Sequence, residues 1–207
     1  MSEVIDARTI APRDDMASKL LNDEVSGRRL TAIELDSLCN LLFQAGMDTV
    51  ANFASFFFLH LGGSPELQRE IQEHPERIAN VIEEGFRKFG VVNNGRLAAQ
   101  DTTLGGVNIH KDDMIVCMLP LAGLDERRNP QPERFDSGRE ARSHMLFSQG
   151  VHMCIGHQLA RMEMRILLEE WSKVIPTFRV ADGYTPNYRA GMVMGLSKLP
   201  LEWALSQ

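Results

Sequence analysis

The stretch "FSQGVHMCIGHQLARME", Phe147 to Glu163, sets one cysteine in a glycine-bracketed loop that runs at once into a helical pattern. A helix N-terminus presents unpaired N–H groups and the positive end of the backbone dipole, a setting that favours thiolate over thiol at Cys154. Gly150 and Gly156 let the backbone curl close to whatever the sulfur touches. A thiolate so placed can be a nucleophile, a zinc ligand or an iron ligand. His152 and His157 are near enough in sequence to act with it in the first two roles, although "HxCxxH" brings no fourth zinc ligand at finger-like spacing. An incidental loop cysteine is the plain alternative. The other two of the three cysteines, Cys39 in "SLCNLL" and Cys117 in "MIVCML", lie in apolar runs and read as small buried hydrophobes. An odd number makes no disulfide framework.

The elements that hold this loop can be read from punctuation. Thr31 opens "TAIE", a capping box closed by Glu34, and starts a long helix over about 31–61 that Gly62-Gly63 ends. Ser64-Pro65 begins another, with proline at its first helical position. A third runs over about 75–89, from Pro75 to a C-cap at Gly90. The texture then changes: "NNGRLAAQDTTLGGVNI" and "DMIVCML" predict short strands joined by turns. Residues 120–155 carry several prolines and glycines and predict irregular chain. A long irregular segment inside a compact domain points to function, and this one leads straight to Cys154. A helix follows from about Gly156 to Ile175, expected to bury Leu159, Met162 and Ile166. The tail, "RAGMVMGLSKLPLEW", reads as a hairpin. The fold class is mainly α with small β-sheets, an α+β arrangement in one partial domain over 1–207.

Composition narrows the function. Of the 207 residues 43% are hydrophobic and 24% charged, as in ordinary globular proteins, and the net charge of -6 argues against a nucleic-acid partner. The first residues hold no apolar signal core. The stretch Leu38 to Leu61 is apolar enough to suggest a membrane span, yet Asn40, Gln44, Asp48 and Asn52 draw a polar stripe along it. A lipid-facing helix would not carry that stripe, so the helix is expected to be buried in protein, with no membrane partner and a cytoplasmic location.

Three motifs stand in order: "AGMDTV" at Ala45 to Val50, E-x-x-R as Glu84 and Arg87, and F-x-x-G-x-x-x-C-x-G as Phe147, Gly150, Cys154 and Gly156. With "PERFD" at Pro132 to Asp136, this series resembles the cytochrome P450 family. "GLDERRNP", "SHMLFSQGVHMCIGHQLAR" and "IPTFRV" resemble most its soluble bacterial camphor-hydroxylating branch. The resemblance implies the C-terminal, haem-ligating half of that fold, without the family's N-terminal half. The implied enzyme is a monooxygenase that inserts one atom of O2 into a small apolar substrate such as a terpenoid.

The resemblance also assigns roles residue by residue. Cys154 becomes the axial ligand to the iron of haem b, where a thiolate pushes electron density toward oxygen. Phe147, Gly150, Ile155, Gly156, Ala160 and Ala45 adjoin the haem, and Arg96 and His144 donate to its propionates. Asp48 and Thr49 are the catalytic pair, a carboxylate relaying protons beside a hydroxyl that can hydrogen-bond dioxygen. Read alone, that pair is a back-bonded helix hydroxyl beside a solvated acid. Glu84, Arg87 and Arg134 are structural. Leu41, Gln44, Val92, Met192 and Val193 line the substrate. Gln44 departs from the branch, which has a small apolar residue there, and Asn94 replaces a usual acid. Electrons are implied to come from NAD(P)H through a reductase and a small iron–sulfur ferredoxin, and no flavin or dinucleotide fingerprint lies in this chain. The alternatives are a truncated product that binds haem weakly or not at all, and, on other chemistry, a zinc or cysteine–histidine hydrolase.

Overall fold

The computed structural model describes residues 1–175 and 177–204. It divides into two units, Met1–Asp48 and Thr49–Gln207. In the first, α1 (Ser2–Ile10) is followed by α2 (Met16–Asn22), whose N-cap Asp15 accepts the Ser18 N–H at 3.0 Å. Strands β1 (Glu24–Val25) and β2 (Arg28–Arg29) form a hairpin through Ser26 and Gly27. Both turn residues have positive φ, 54° and 76°, the geometry that suits a two-residue hairpin to strand twist. The expected capping box then opens α3 (Ala32–Gly62): the Thr31 N–H donates to Glu34 at 2.9 Å, and the Glu34 N–H donates to Thr31 Oγ1 at 3.3 Å. Ile5, Leu35 and Cys39 form this unit's small core against Leu20, Leu21 and Leu30.

The second unit contains the end of α3, then α4 (Pro65–Glu73), a 3-10 turn (Pro75–Arg77) and α5 (Ile78–Lys88). Strand β3 (Asn94–Leu97) pairs antiparallel with β6 (Met114–Cys117), while β4 (Thr102–Leu104) pairs with β5 (Val107–Ile109) between them. After α6 (Leu119–Gly123) the chain is irregular, as expected, up to a 3-10 turn (Gly150–His152) and α7 (His157–Val174). Strand β7 (Arg179–Val180) pairs with β10 (Leu201–Glu202), and β8 (Tyr188–Arg189) with β9 (Gly195–Leu196).

Phenylalanines dominate the core. Phe53, Phe57, Phe58 and Leu61 of α3 pack with Val81, Ile82 and Phe86 of α5 and Met164 and Leu168 of α7. Each such side chain contributes about 1.5–3 kcal/mol when fully buried. Phe58 meets the Trp171 ring edge-on at 4.9 Å, which ties α3 to α7. Gln68 is buried and fully used: its amide donates to Leu61 and Phe178 carbonyls and accepts the Phe178 N–H. The α5–α7 contact is the frame on which the cysteine loop is mounted.

Several expectations need correction. The long helix is not buried along its length: Leu41, Phe43 and Met47 are exposed, and its contribution to the core of the second unit comes from Val50 to Leu61. On α7, Leu159, Met162 and Ile166 are exposed, and the inward stripe is Met164 and Leu168, four residues apart. Apolar spacing alone could not say which of two apolar stripes met α5. Cys117 is half-buried, because β3–β6 is a two-stranded sheet with one face uncovered. Helix α5 is capped by Phe89, and Gly90 does not take a left-handed conformation. A Cβ on Gly90 would lie 3.1 Å from the Pro120 backbone, so close approach explains that glycine. The tail is a hairpin only in part, since β10 leaves β8–β9 to pair with β7.

Candidate functional site

The Cys154 loop is built from both ends. The Cys154 N–H donates to the Phe147 carbonyl at 2.8 Å, and the Met153 N–H to Gly150 at 3.1 Å, so the segment closes on itself. Gly150 has φ +68°, where glycine is free of strain, and Ser148 has φ +59°, where a side chain is not. Gly156 is the N-cap of α7 and needs no side chain there: an ideal Cβ would sit 3.8 Å from the Cys154 sulfur. Cys154 is the exposed member of the three cysteines, in contrast to buried Cys39 and half-buried Cys117. Its neighbours are exposed and apolar: Val151 is 96% and Ile155 82% accessible, with Met153 and Leu159 also open. Water-facing apolar groups around a thiol form an uncovered surface, not a packed core. Among the described residues no group of three or more His, Cys, Asp or Glu is placed to hold a metal ion, which leaves the zinc alternative without a ligand set there.

Behind the loop lies a polar clamp that sequence reading does not single out. Arg161, one turn into α7, donates to Glu83 of α5 through Nε at 2.5 Å and through a terminal nitrogen at 3.2 Å. Its guanidinium lies 4.8 Å from the Phe147 ring centroid and 5.8 Å from that of Phe86. Phe147 in turn meets Phe86 edge-on at 5.0 Å. His144 approaches Glu83 at 3.8 Å, an ion-pair distance rather than a hydrogen bond, and its other nitrogen accepts the Leu146 N–H at 3.3 Å. Burial pushes the Glu83 carboxyl up, but His144 and Arg161 outweigh it and bring its pKa down to about 2.

The neighbouring Glu84 heads a second cluster, wholly enclosed. Glu84 and Arg87 have fully buried side chains and pair through two bonds of 2.8 and 2.9 Å. Arg87 also donates to the carbonyls of Gly123 at 2.6 Å and Arg134 at 3.2 Å. Glu84 accepts the Asp136 N–H at 3.0 Å and Arg139 at 3.3 Å. Gly123 is obligatory, because a Cβ there would fall 1.9 Å from the Arg87 carbonyl oxygen. Buried Asn129 adds three bonds, to Gly123 and Ser143. Arg134 joins through its backbone carbonyl, whereas its own guanidinium is largely exposed and reaches Asp136 at 3.8 Å. The second arginine on Glu84 is Arg139, whose one sequence signal is its place in the arginine-rich stretch after "PERFD".

The remaining predicted residues divide between places. Val92 and Val193 form an antiparallel bridge, and the Asn93 N–H donates to the Met192 carbonyl at 2.8 Å, so these three candidate substrate residues do come together. Arg96 is exposed on β3 and donates to the adjacent Gly95 carbonyl. Asn94 faces Cys117 across the β3–β6 ladder. On α3, Leu41, Gln44, Ala45 and Asp48 are exposed at spacings that place them on one helix face, and half-buried Thr49 follows. Ala160 is half-buried in the first turn of α7 and packs against the core.

A family model described as cytochrome P450 matches residues 2–182. The probable cytochrome P450 127A1 of Sinorhizobium fredii is 32% identical over 99% of this chain, and the vitamin D(3) 25-hydroxylase of Pseudonocardia autotrophica is 32% identical over 97%. This chain spans about half of each relative, 49% and 51% of their lengths. The crystal structure of CYP101J2 superposes with a TM-score of 0.91 at 40% identity, covering 99% of this chain and 52% of that one. Fold, loop geometry and sequence agree, and the chain belongs to the cytochrome P450 family.

Proposed function

We propose that this chain carries the haem-binding portion of a monooxygenase, in which Cys154 would ligate the iron. The observation that carries this reading is Cys154 itself, exposed on an apolar rim, with Gly156, which has no side chain, next to its sulfur. The donor set fits the group: one thiol at the centre of an uncovered apolar face suits a flat apolar macrocycle, and cationic donors suit its carboxylates. Phe147, Gly150, Ile155, Gly156 and Ala160 would adjoin it, with Arg96 at a propionate, and the family resemblance adds Ala45; the His144 ring nitrogens are instead turned to Glu83 and the Leu146 N–H. The haem, when bound, supplies the activation of O2.

The chain's own residues do the rest. The Cys154 thiolate would hold the group and supply it with electron density, while the carbonyl of Phe147 fixes the Cys154 backbone. The Asp48 carboxylate would pass protons inward, and the Thr49 hydroxyl would orient them. Val92, Met192 and Val193 would line a site for a small apolar substrate, a terpenoid or a molecule like the vitamin D(3) that one relative is named for, and the family resemblance adds Leu41 and Gln44. The Gln44 amide would hydrogen-bond a polar group of that substrate, since burying it unpaired is costly. An N-terminal half of the family fold would complete the enzyme, electrons would come from NAD(P)H through a reductase and an iron–sulfur ferredoxin, and the setting would be the cytoplasm.

The test is the reduced CO-difference spectrum of the full-length protein. Wild type, Cys39→Ala and Cys117→Ala show the thiolate–CO band, and Cys154→Ala loses it. A thiolate band kept by Cys154→Ala would remove the assignment, and absence of any haem band in the wild type would favour a chain that hydroxylates nothing.

A further inference from the structure

We infer that Arg161 is a positioning residue for the Cys154 loop: anchored on Glu83, its guanidinium clamps Phe147 against α5 and so holds the backbone that presents the sulfur. This rests on the reading of Cys154 as the haem ligand and assigns the loop's stiffness to named groups. The geometry is that of one side chain serving three elements. Two nitrogens of Arg161 bond the two carboxylate oxygens of Glu83 on α5. The guanidinium covers the Phe147 ring at 4.8 Å, within the roughly 6 Å at which a cation and a ring face attract. A third nitrogen reaches the His157 carbonyl at 3.0 Å and its Nδ1 at 2.8 Å, at the first turn of α7.

Phe147 is the point where this clamp meets the cysteine. Its ring contacts both Phe86 and Arg161, which also touch each other, and its carbonyl accepts the Cys154 N–H at 2.8 Å. His157, on the other side of the loop, donates its N–H toward the Cys154 carbonyl at 3.3 Å. Arg161 therefore touches the two residues that bond the Cys154 peptide, one on each side, without touching the cysteine. His144 shares Glu83 with Arg161, so the loop's entry is tied to the same carboxylate. A solvated surface arginine would not be expected to make ring, carboxylate and carbonyl contacts at once, and the Arg161 side chain is 31% accessible. The sequence between, with Ser148 and Gly150 both at positive φ, has only the single 3-10 turn at Gly150–His152 to hold its shape.

Lysine cannot replace this residue fully. An ammonium is a point charge that can pair with Glu83 or sit over Phe147, whereas the planar fork does both. Arg165, one turn further along α7, is the natural control: it pairs with Glu169 at 3.4 Å on its own helix and carries the same charge.

The experiment uses the full-length haem protein, reduced under CO. At a fixed mild temperature, two rates are followed together: loss of the thiolate–CO band to the neutral-thiol band, and loss of far-ultraviolet helicity. Arg161→Met should speed the band conversion by roughly tenfold, the scale expected on losing a ring contact and a two-point carboxylate pair, while helicity decays much less quickly than the band. Arg161→Lys should fall between wild type and Arg161→Met. Glu83→Gln should act in the same direction but less, and Arg165→Met should match wild type. Should Arg161→Met fail to accumulate, Arg161→Lys and Glu83→Gln are read by the same two rates. Parallel acceleration of band and helicity would make Arg161 a general stability residue and overturn the inference, as would unmoved variants or an equal effect from Arg165→Met. A wild type without the thiolate band sinks the Cys154 reading instead, so the two failures are told apart.

Discussion

Glu83 and Glu84 are consecutive residues on α5 that head two differently built regions. Glu84 lies in a knot with Arg87, Arg139, Gly123 and Asn129, with side chains of the ion pair wholly enclosed. Glu83 faces the Cys154 loop, is partly accessible, and supports a rim whose apolar residues face water. In the knot, nearly every charge meets an opposite charge or a carbonyl, so that region is complete in itself. In the loop the backbone is closed but the side-chain surface is not. The contrast teaches that this chain spends buried ion pairs on fixing irregular backbone and leaves its apolar surface for something else to cover.

Breaking the knot should have the largest effect. Glu84→Gln removes the charge that three arginines share, Arg87, Arg139 and, at 3.9 Å, Arg142, and such losses typically cost about 3–5 kcal/mol. Val151→Ala, at the most open point of the loop, should change stability by less than about 0.5 kcal/mol in haem-free protein. Urea unfolding of full-length protein measures both. A small loss for Glu84→Gln would show that the knot is dispensable. A large Val151→Ala loss confined to haem-loaded protein would show that the cofactor covers the rim.

The two arginines that flank the knot sharpen the comparison further. The sequence offers Arg134 within "PERFD" as the structural partner, yet its guanidinium is largely exposed and its carbonyl makes the contact. Arg139 instead donates to Glu84 and to the carbonyls of Pro130, Gln131 and Arg134. Arg139→Ala should therefore destabilise by about 1.5–3 kcal/mol, as for lost hydrogen bonds involving charged groups. Arg134→Ala should stay near the ~0.5 kcal/mol of an ordinary surface change, because the carbonyl survives the substitution. Equal losses in the two variants would mean that the Arg134 side chain has a role its exposure does not suggest.

These cases show what was legible beforehand. Local punctuation was readable, because a capping box at Thr31 and Glu34 and a proline at position 65 act within a few residues of themselves. The Cys154 loop and the Glu84–Arg87 pair were also visible, since each is a short motif with a fixed internal spacing. The facing of α7 was not, because two apolar stripes compete and only α5, far away in sequence, decides between them. Arg139 and Arg161 were missed for the same reason. Their partners lie 55 and 78 residues away, and no periodic pattern links an arginine to a distant glutamate.

The smallest effect concerns Glu83 and is separable by pH. Burial raises its carboxyl, but His144 and Arg161 hold it down at about 2, below the ordinary 4.5. A carboxyl depressed on folding contributes stability that is fully present above about 4.5 and is lost as pH falls through about 2, below which folded and unfolded forms are both protonated. The Glu83 side chain is 29% accessible, so solvent screening trims the contribution to on the order of 1 kcal/mol. Other carboxyls, Asp15 and Asp125 among them, are depressed to about 2 as well, so the raw acid profile cannot be assigned to one group. The difference between wild type and Glu83→Gln can. That difference should hold level from pH 7 to about 5 and then shrink steadily through pH 3. A difference that stays constant to pH 3 would mean that Glu83 supports the loop through shape and not charge. A difference that grows on acidification would reverse the sign of its ionisation and break the contrast with Glu84.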